Sequence, residues 1–261
     1  MRSLSTAASG MQAQQTNVET ISNNIANLST TGFKRQRAEF QDLLYQDQRR
    51  VGAQSSDAGT IVPAGIQIGL GVRTASTLRI TEQGNLTQTS ATTDLAIQGK
   101  GFFQVQLPDG TTAYTRDGSF NLSPTGQIVT KDGYTVLPAL TIPATATSIA
   151  ISPSGQVQAS IPGQTTPQIV GQISLATFQN EAGLSALGSN LFQVSAASGN
   201  ATVAVAGSVG VGTVLQGFVE TSNVNPVTEI TSLIEAQRAY EMNSKVITAS
   251  DQMLQTVGQL R

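Results

Sequence analysis

The sequence predicts an α+β protein in which paired N- and C-terminal helices, coiled-coil-like, enclose a mainly antiparallel β middle. Three observations carry this: a seven-residue apolar repeat at the N-terminus, a second one at the C-terminus, and a run of Asp-Gly and Pro-x-Gly turns between them.

At the N-terminus Leu4, Met11, Val18 and Ile25 recur every seven residues. Ala7, Gln14, Ile21 and Leu28 follow each of them by three, completing an a/d seam with one polar position. No Pro interrupts the pattern, which stops at Thr30-Thr31-Gly32, where Gly32 suits a helix C′ position. The C-terminal repeat begins after Asn225-Pro226, with Pro226 suited to a first helical turn. Leu233, Tyr240, Ile247 and Leu254 are spaced by seven, with Ala236, Asn243, Ser250 and Val257 between them. Helices at the two extreme ends can align only if the middle folds back on itself.

The middle reads as hairpins. Turn signals at Pro108-Asp109-Gly110, Asp117-Gly118, Pro124-Thr125-Gly126 and Asp132-Gly133 separate the runs Phe102–Leu107, Thr111–Arg116, Ser119–Leu122, Gln127–Thr130 and Tyr134–Leu137. Further strands are expected at Ser148–Ile151, Gln156–Ala159, Gln172–Phe178, Leu191–Val194 and Thr202–Val205, a spacing that suits a sandwich or open barrel. The expected division is a terminal helical domain of 1–35 with 225–261, a connector of 36–80 with 210–224, and a β domain of 81–209. Within the connector, 46–72 is rich in Gly, Gln and Ser and too long for an ordinary connection, so it is read as either disordered or engaged in contacts.

Composition removes many functions. The 261 residues include no His, Cys or Trp, which excludes the usual zinc sites, Ser-His and Cys-His nucleophiles, disulfides and iron–sulfur clusters. Charged residues are only 11% of the chain and the net charge is −2, without the basic face that nucleic acid requires. No Lys or Arg lies between Lys131 and Arg238, and Glu181 is the single charge from Gly133 to Val219. Gly99-Lys100-Gly101 lacks the lead and the hydroxyl of a phosphate loop. Asp109, Asp117 and Asp132 sit in turns, where their carboxylates shape the backbone rather than pair for catalysis. Lys34-Arg-Gln-Arg37 is read as a solvated charge cluster at a helix end. Catalytic, metal and cofactor residues are therefore assigned to none, and neither nucleic acid nor membrane insertion is expected. No apolar leader segment interrupts the Ser- and Thr-rich start, so export without a cleaved signal is the expectation.

The run Asn23-Asn-Ile-Ala-Asn-Leu-Ser-Thr-Thr-Gly-Phe-Lys34, continuing through Arg35 to Tyr45, resembles the N-terminal signature of bacterial flagellar basal-body rod and hook proteins. Glu220-Thr-Ser-Asn-Val-Asn225 and Glu235-Ala-Gln-Arg-Ala-Tyr-Glu-Met-Asn-Ser-Lys245 are similar to the C-terminal signature. Gly99-Lys-Gly-Phe-Phe103 and Tyr114-Thr-Arg-Asp-Gly-Ser-Phe120 match in the middle. The motif positions are Asn24, Ala26, Asn27, Gly32, Phe33 and Lys34 in the first signature, and Glu220, Ser222, Asn223, Val224, Gln237, Arg238, Ala239, Tyr240 and Asn243 in the second. Length and the segment from Tyr45 to Val72, with Gly52, Gln54, Ser55 and Ser56, are most similar to the distal-rod branch, although Asp57–Pro63 departs from its pattern. A sister rod or hook subunit is the alternative within the family; a secreted β-rich adhesin fibre subunit is the alternative outside it.

The resemblance implies a structural, non-enzymatic subunit that stacks helically into a hollow rigid drive shaft, transmitting torque to the hook and enclosing the export channel. The β middle would be a hook-like β domain forming the outer layer. The implied assembly seam is Leu4, Met11, Val18, Ile21, Ile25 and Leu28 with Leu233, Tyr240, Ile247 and Leu254, and the insert would brace neighbours. Implied partners are other copies, proximal rod subunits, hook or hook-junction subunits, the surrounding outer ring bushing and the flagellar type III export machinery. The implied location is the basal body, across the periplasm.

Asn23, Asn24, Asn27, Thr16, Thr20 and Thr31 are weak helix formers, and one narrow apolar stripe offsets little of the entropy lost on ordering each helix. In dilute monomer, limited proteolysis is expected to cut both terminal segments before the β middle. Equal resistance of ends and middle would overturn this.

Overall fold

The computed structural model describes residues 2–50, 64–164 and 166–259. It is α+β: helix α1 (Arg2–Ala26), helix α2 (Pro226–Gln259), and strands between them whose described ladders are antiparallel. Two compact units form, one from 1–25, 36–78 and 225–261, the other from 26–35 and 79–224. Among the described residues no helix is long and apolar enough to cross a membrane.

In the first unit α1 and α2 run antiparallel. Ser250 donates to Ser3 at 3.4 Å near one end, Gly10 faces Asn243 in the middle, and Asn24 donates to Glu229 at 3.0 Å near the other end. The buried line is mostly small and polar: Ala7, Ala13, Thr20, Ile21 and Asn24 are buried on α1, and Glu229, Ala236 and Ser250 on α2. Small side chains let the backbones come close; a Cβ built on Gly10 would stand 2.9 Å from the Asn243 amide. Asn225 caps α2, accepting from the Val227 amide at 3.0 Å, and Pro226 opens the first turn. Helix α1 ends at Ala26, earlier than the Thr30-Thr31-Gly32 stop read from the heptads. The Thr30 hydroxyl and amide both bind Asn27, at 3.1 and 3.2 Å, and this local competition closes a turn instead of another helical round.

The same unit carries a two-stranded ribbon, Tyr45–Arg49 with Ile66–Gly69, which, apart from Tyr45, lies within the insert of 46–72. Every residue of Tyr45–Arg49 is exposed.

The second unit is built on a nine-stranded sheet around Phe102–Gln106. The expected runs from Phe102 to Leu137 and at 148, 156, 191 and 202 all contain strands, but the expected Gln172–Phe178 run divides into Gln168–Gln172 and Ser174–Thr177 in different sheets. Side chains alternate across a strand, so Phe102 and Phe103 enter different cores. Phe103 meets Phe120 edge-on at 5.1 Å among Leu95, Ile97, Val157 and Leu175. Phe102 meets Phe178 at 5.7 Å and Phe192 at 6.1 Å beside Tyr114. Asp117 and Asp109 shape turns as expected: Asp117 accepts from the Ser119 amide and hydroxyl, at 3.0 and 2.6 Å, and Asp109 from Thr111.

Gly118 has a packing reason beyond its turn. A Cβ there would fall 1.5 Å from the Leu95 carbonyl oxygen, where backbone meets backbone and nothing can rotate away. Gly118→Ala is expected to lower stability by at least about 1–3 kcal/mol, read from the urea midpoint, while Gly110→Ala, which meets no atom within 4 Å but has φ of 81°, costs less.

Candidate functional site

The second unit takes 26–35 as its first segment, resumes at 79, and ends with 220–224. Both segments converge on one buried carboxylate. Glu220, at the end of strand Phe218–Glu220, is 1% exposed. Its Oε1 accepts from Lys34 Nζ at 2.6 Å and from the Gly84 amide at 2.9 Å, and its Oε2 accepts from Arg116 Nε at 2.7 Å. The remaining donors are used: Lys34 also reaches the Glu82 carbonyl at 2.7 Å, and the Arg116 guanidinium donates to the carbonyls of Gly99 and Gly101. Those glycines adopt φ of 104° and 141°, a backbone form that suits glycine and sets their carbonyls against Arg116.

The neighbouring positions hold the same crossing. The Gly32 amide donates to the Glu220 carbonyl at 2.8 Å, and at φ 68° a Cβ on Gly32 would lie 2.7 Å from the Asp117 nitrogen. Asn223 accepts from the Arg35 amide at 2.7 Å and donates to the Ile80 and Glu82 carbonyls at 3.0 Å. Ser222 accepts from the Val224 amide, and Val224 is buried. Phe33 is half-buried, and Asn190 donates to the Thr31 carbonyl at 3.0 Å.

Two cations share one anion here, which fixes the electrostatics. Burial opposes the Glu220 charge, but Arg116 and Lys34 outweigh it and hold the carboxyl below the usual glutamate range. Burial also pushes the Lys34 ammonium below the usual lysine range; Glu220 resists this and Arg116 adds to it. The reading of Lys34 as a solvated helix-end charge is corrected: it is 5% exposed, because the chain turns inward at Gly32 and carries it onto Glu220.

In the first unit Asn24 is 1% exposed and acts as a bracket. It donates to the Gln36 carbonyl at 2.7 Å and to Glu229, and it accepts from the Gln36 amide at 2.8 Å. Asn243 stands against Gly10. Ala26 is exposed at the end of α1, Ala239 is half-buried, and Gln237, Arg238 and Tyr240 are exposed.

The heptad residues occupy the flank of the helix pair rather than its centre. Leu4, Met11, Val18, Ile25, Leu233 and Ile247 are half-buried, Tyr240 and Leu254 are 43% exposed, and Ile21 is buried. Leu28 is half-buried in the turn beyond α1. Val18 and Tyr240 line one groove. Gly52, Gln54, Ser55 and Ser56, with Asp57–Pro63, lie outside the described residues.

Two features escaped the sequence. Arg116 was visible within Tyr114-Thr-Arg-Asp-Gly-Ser-Phe120, but nothing linked it to Glu220 across 104 residues. The outer side of α2 also carries large apolar residues: Val227, Ile230, Ile234 and Met242 are all 45% exposed or more. Three- and four-residue steps link Val227, Ile230 and Ile234, a signal hidden behind the stronger seven-residue one.

The model described as flagella basal body rod protein matches residues 4–34, that of the flagellar hook protein FlgE/F/G D1 domain matches 96–159, and that of the flagellar basal body rod FlgEFG protein C-terminal matches 215–260. The flagellar basal-body rod protein FlgG of Caulobacter vibrioides is 62% identical over 261 residues, the whole of both chains. The chain belongs to the FlgG family of distal rod proteins. FlgG of Buchnera aphidicola from Acyrthosiphon pisum is 52% identical over 99% of both chains. In Bacillus subtilis, FlgG is 41% identical and the hook-basal body complex protein FlhP 30%, so within one organism this FlgG-family chain is more similar to the distal rod protein than to the sister. The three matched regions supply Lys34, Arg116 and Glu220 respectively.

Glu220→Gln is expected to cost about 3–5 kcal/mol, because two buried cations lose their counter-charge, and adding Lys34→Met is expected to restore part of it. The sign with pH follows from a folded pKa below the unfolded one: Glu220 stabilises fully above the ordinary carboxylate range and loses that contribution as pH falls through its lowered folded value. Urea midpoints measured against pH should show this acid loss in wild type and lack the Glu220 share in Glu220→Gln.

Proposed function

We propose that many copies of this chain stack head-to-tail in an open helical array that forms the hollow distal rod of the flagellar basal body. The terminal helices of successive copies would form the wall of an export channel, and the assembled tube would carry torque to the hook. The observation that carries the reading is the number of large apolar side chains left exposed along α2, from Val227 at 72% to Met253 at 61%, on a helix already paired with α1. Exposed apolar side chains in this number mark an interaction site, and a non-closing contact between unlike patches generates tubes.

Neighbours at the two ends of the array would be proximal rod subunits and hook or hook-junction subunits, with an outer ring as bushing across the periplasm. Delivery would be through the flagellar type III export machinery, and helices held by a thin polar seam suit a chain that folds at its destination. The ribbon Tyr45–Arg49 with Ile66–Gly69 exposes Tyr45, Ile66 and Ile68. A lone two-stranded ribbon is marginal in water, so we assign it and the insert of 46–72 to bracing between copies.

Deletion of the gene in the source organism is expected to abolish motility and leave rods that stop short of the hook. Deleting 46–72 alone is expected to give rods that still form but bend more in electron micrographs. Straight wild-type rods after that deletion would refute the bracing role.

A further inference from the structure

Four turns in the second unit share one construction: Leu107–Thr111, Ser123–Gln127, Thr130–Tyr134 and Ser152–Gln156. In each, the first amide donates to the fifth carbonyl and the fourth amide to the first carbonyl, and the fourth residue is a glycine at φ of 80–85°. Where the first residue carries a hydroxyl, that hydroxyl accepts from the fifth amide. Ser123 accepts from Gln127 at 3.1 Å, Thr130 from Tyr134 at 3.2 Å and Ser152 from Gln156 at 3.1 Å. Leu107 has no hydroxyl, so Asp109 Oδ1 accepts instead, from the Thr111 amide at 3.0 Å and the Thr111 hydroxyl at 2.7 Å.

Two of these turns contain Asp-Gly, at Asp109-Gly110 and Asp132-Gly133. They match in backbone and differ in what holds the carboxylate. Thr130 displaces Asp132 from the amide, and the exposed Asp132 carboxylate has no hydrogen bond or ion pair among the described residues. The adjacent Lys131 ammonium lies 3.7 Å from Asp117 instead. The third pair, Asp117-Gly118, is held at both residues. Asp117 accepts from the Ser119 amide and hydroxyl, and the Gly118 carbonyl accepts from the Leu95 amide at 2.9 Å, with the Leu95 carbonyl packed against Gly118.

We propose that Asp132 is the site at which this chain isomerises spontaneously to isoaspartate. The Gly133 nitrogen attacks Asp132 Cγ, and a C–N bond forms while one carboxyl oxygen leaves as water with the amide hydrogen and the acid proton. Water then adds to the five-membered succinimide and cleaves its bond between that nitrogen and the main-chain carbonyl carbon. The product keeps the mass of the chain, consumes no other reactant, and routes the backbone through Cβ. Glycine sets no side chain against the attack, and a Cβ at Gly133 would meet no atom within 4 Å. Gly110 is equally open, so the bonds to the carboxylate decide between the two turns. Those bonds also hold the Asp109 carboxyl below the usual aspartate range, so less of it carries the proton that leaves in the water. At Asp132 the change adds one backbone atom to a loop whose flanking strands pair Val129 with Thr135.

The test warms the folded full-length chain at neutral pH. It follows each pair with an endoproteinase that cuts before aspartate and not before isoaspartate. Cleavage at Asp132 is expected to be lost about tenfold faster than at Asp109 or Asp117, whose carboxylates must first break hydrogen bonds. Thr130→Val with Tyr134→Thr rebuilds the Asp109 arrangement and is expected to slow Asp132 about tenfold; Leu107→Thr with Thr111→Val is expected to speed Asp109. Circular dichroism checks that both variants keep their strands, and the comparison of the three pairs in wild type needs no variant. In guanidinium chloride the three rates are expected to converge. Equal rates in the folded chain, a faster loss at Asp109 or Asp117, or a lead of Asp132 that persists unchanged in guanidinium chloride would each overturn the proposal.

Discussion

A carboxylate buried to 1% exposure must be compensated, and much of the second unit is arranged around compensating Glu220. Lys34, Arg116 and the Gly84 amide meet its two oxygens, and the carbonyls of Gly99, Gly101 and Glu82 absorb the donors left over. Each contributor comes from a different stretch of chain. The ion triad therefore forms only when the entry segment, the central hairpins and the exit segment are all in place. That requirement explains why the three signature regions hold charged residues and special glycines at these positions. Gly32, Gly99 and Gly101 are backbone adaptors that let a lysine and an arginine reach one carboxylate.

The helix pair solves a different problem. Its buried line is mostly Ala, Gly, Ser, Thr and Asn with Glu229 and Ile21, and buries little apolar area, whereas the larger apolar side chains of α2 are half-buried or exposed. A chain selected only for monomer stability would invert that order, since burial of Leu, Ile or Met stabilises far more than burial of Ser or Asn. Keeping the bulky residues outside leaves their burial to contacts between copies. The low charge of the chain fits both halves of this design. Lys34, Arg116 and Glu220 are committed to the interior, and α1 carries only Arg2 and Glu19 as charged residues.

The regular elements were largely legible. Heptads announced both helices, Pro226 marked the start of α2, and the Asp-Gly beat located the central hairpins because turn chemistry is local. Two strands in the connector were not legible: Tyr45–Arg49 is polar at four of five positions, Ile66–Gly69 is only four residues long, and they pair only with each other. Gln168–Gln172 was missed for a related reason, since it joins an edge whose outward Ile169 breaks the expected alternation. The family signatures included Lys34, Arg116 and Glu220, but did not point to their mutual contact.

By itself the sequence determined the fold class, the helical ends, the turns and the family, because periodicity, turn residues and signature spacing are written along the chain. Tertiary structure alone decided which side of each helix became the seam. It also decided that Lys34 is buried rather than solvated, and that a carboxylate, a lysine and an arginine from distant segments share one site. Such choices depend on the free energy of desolvating and pairing groups far apart in sequence, and a one-dimensional pattern holds no record of that distance.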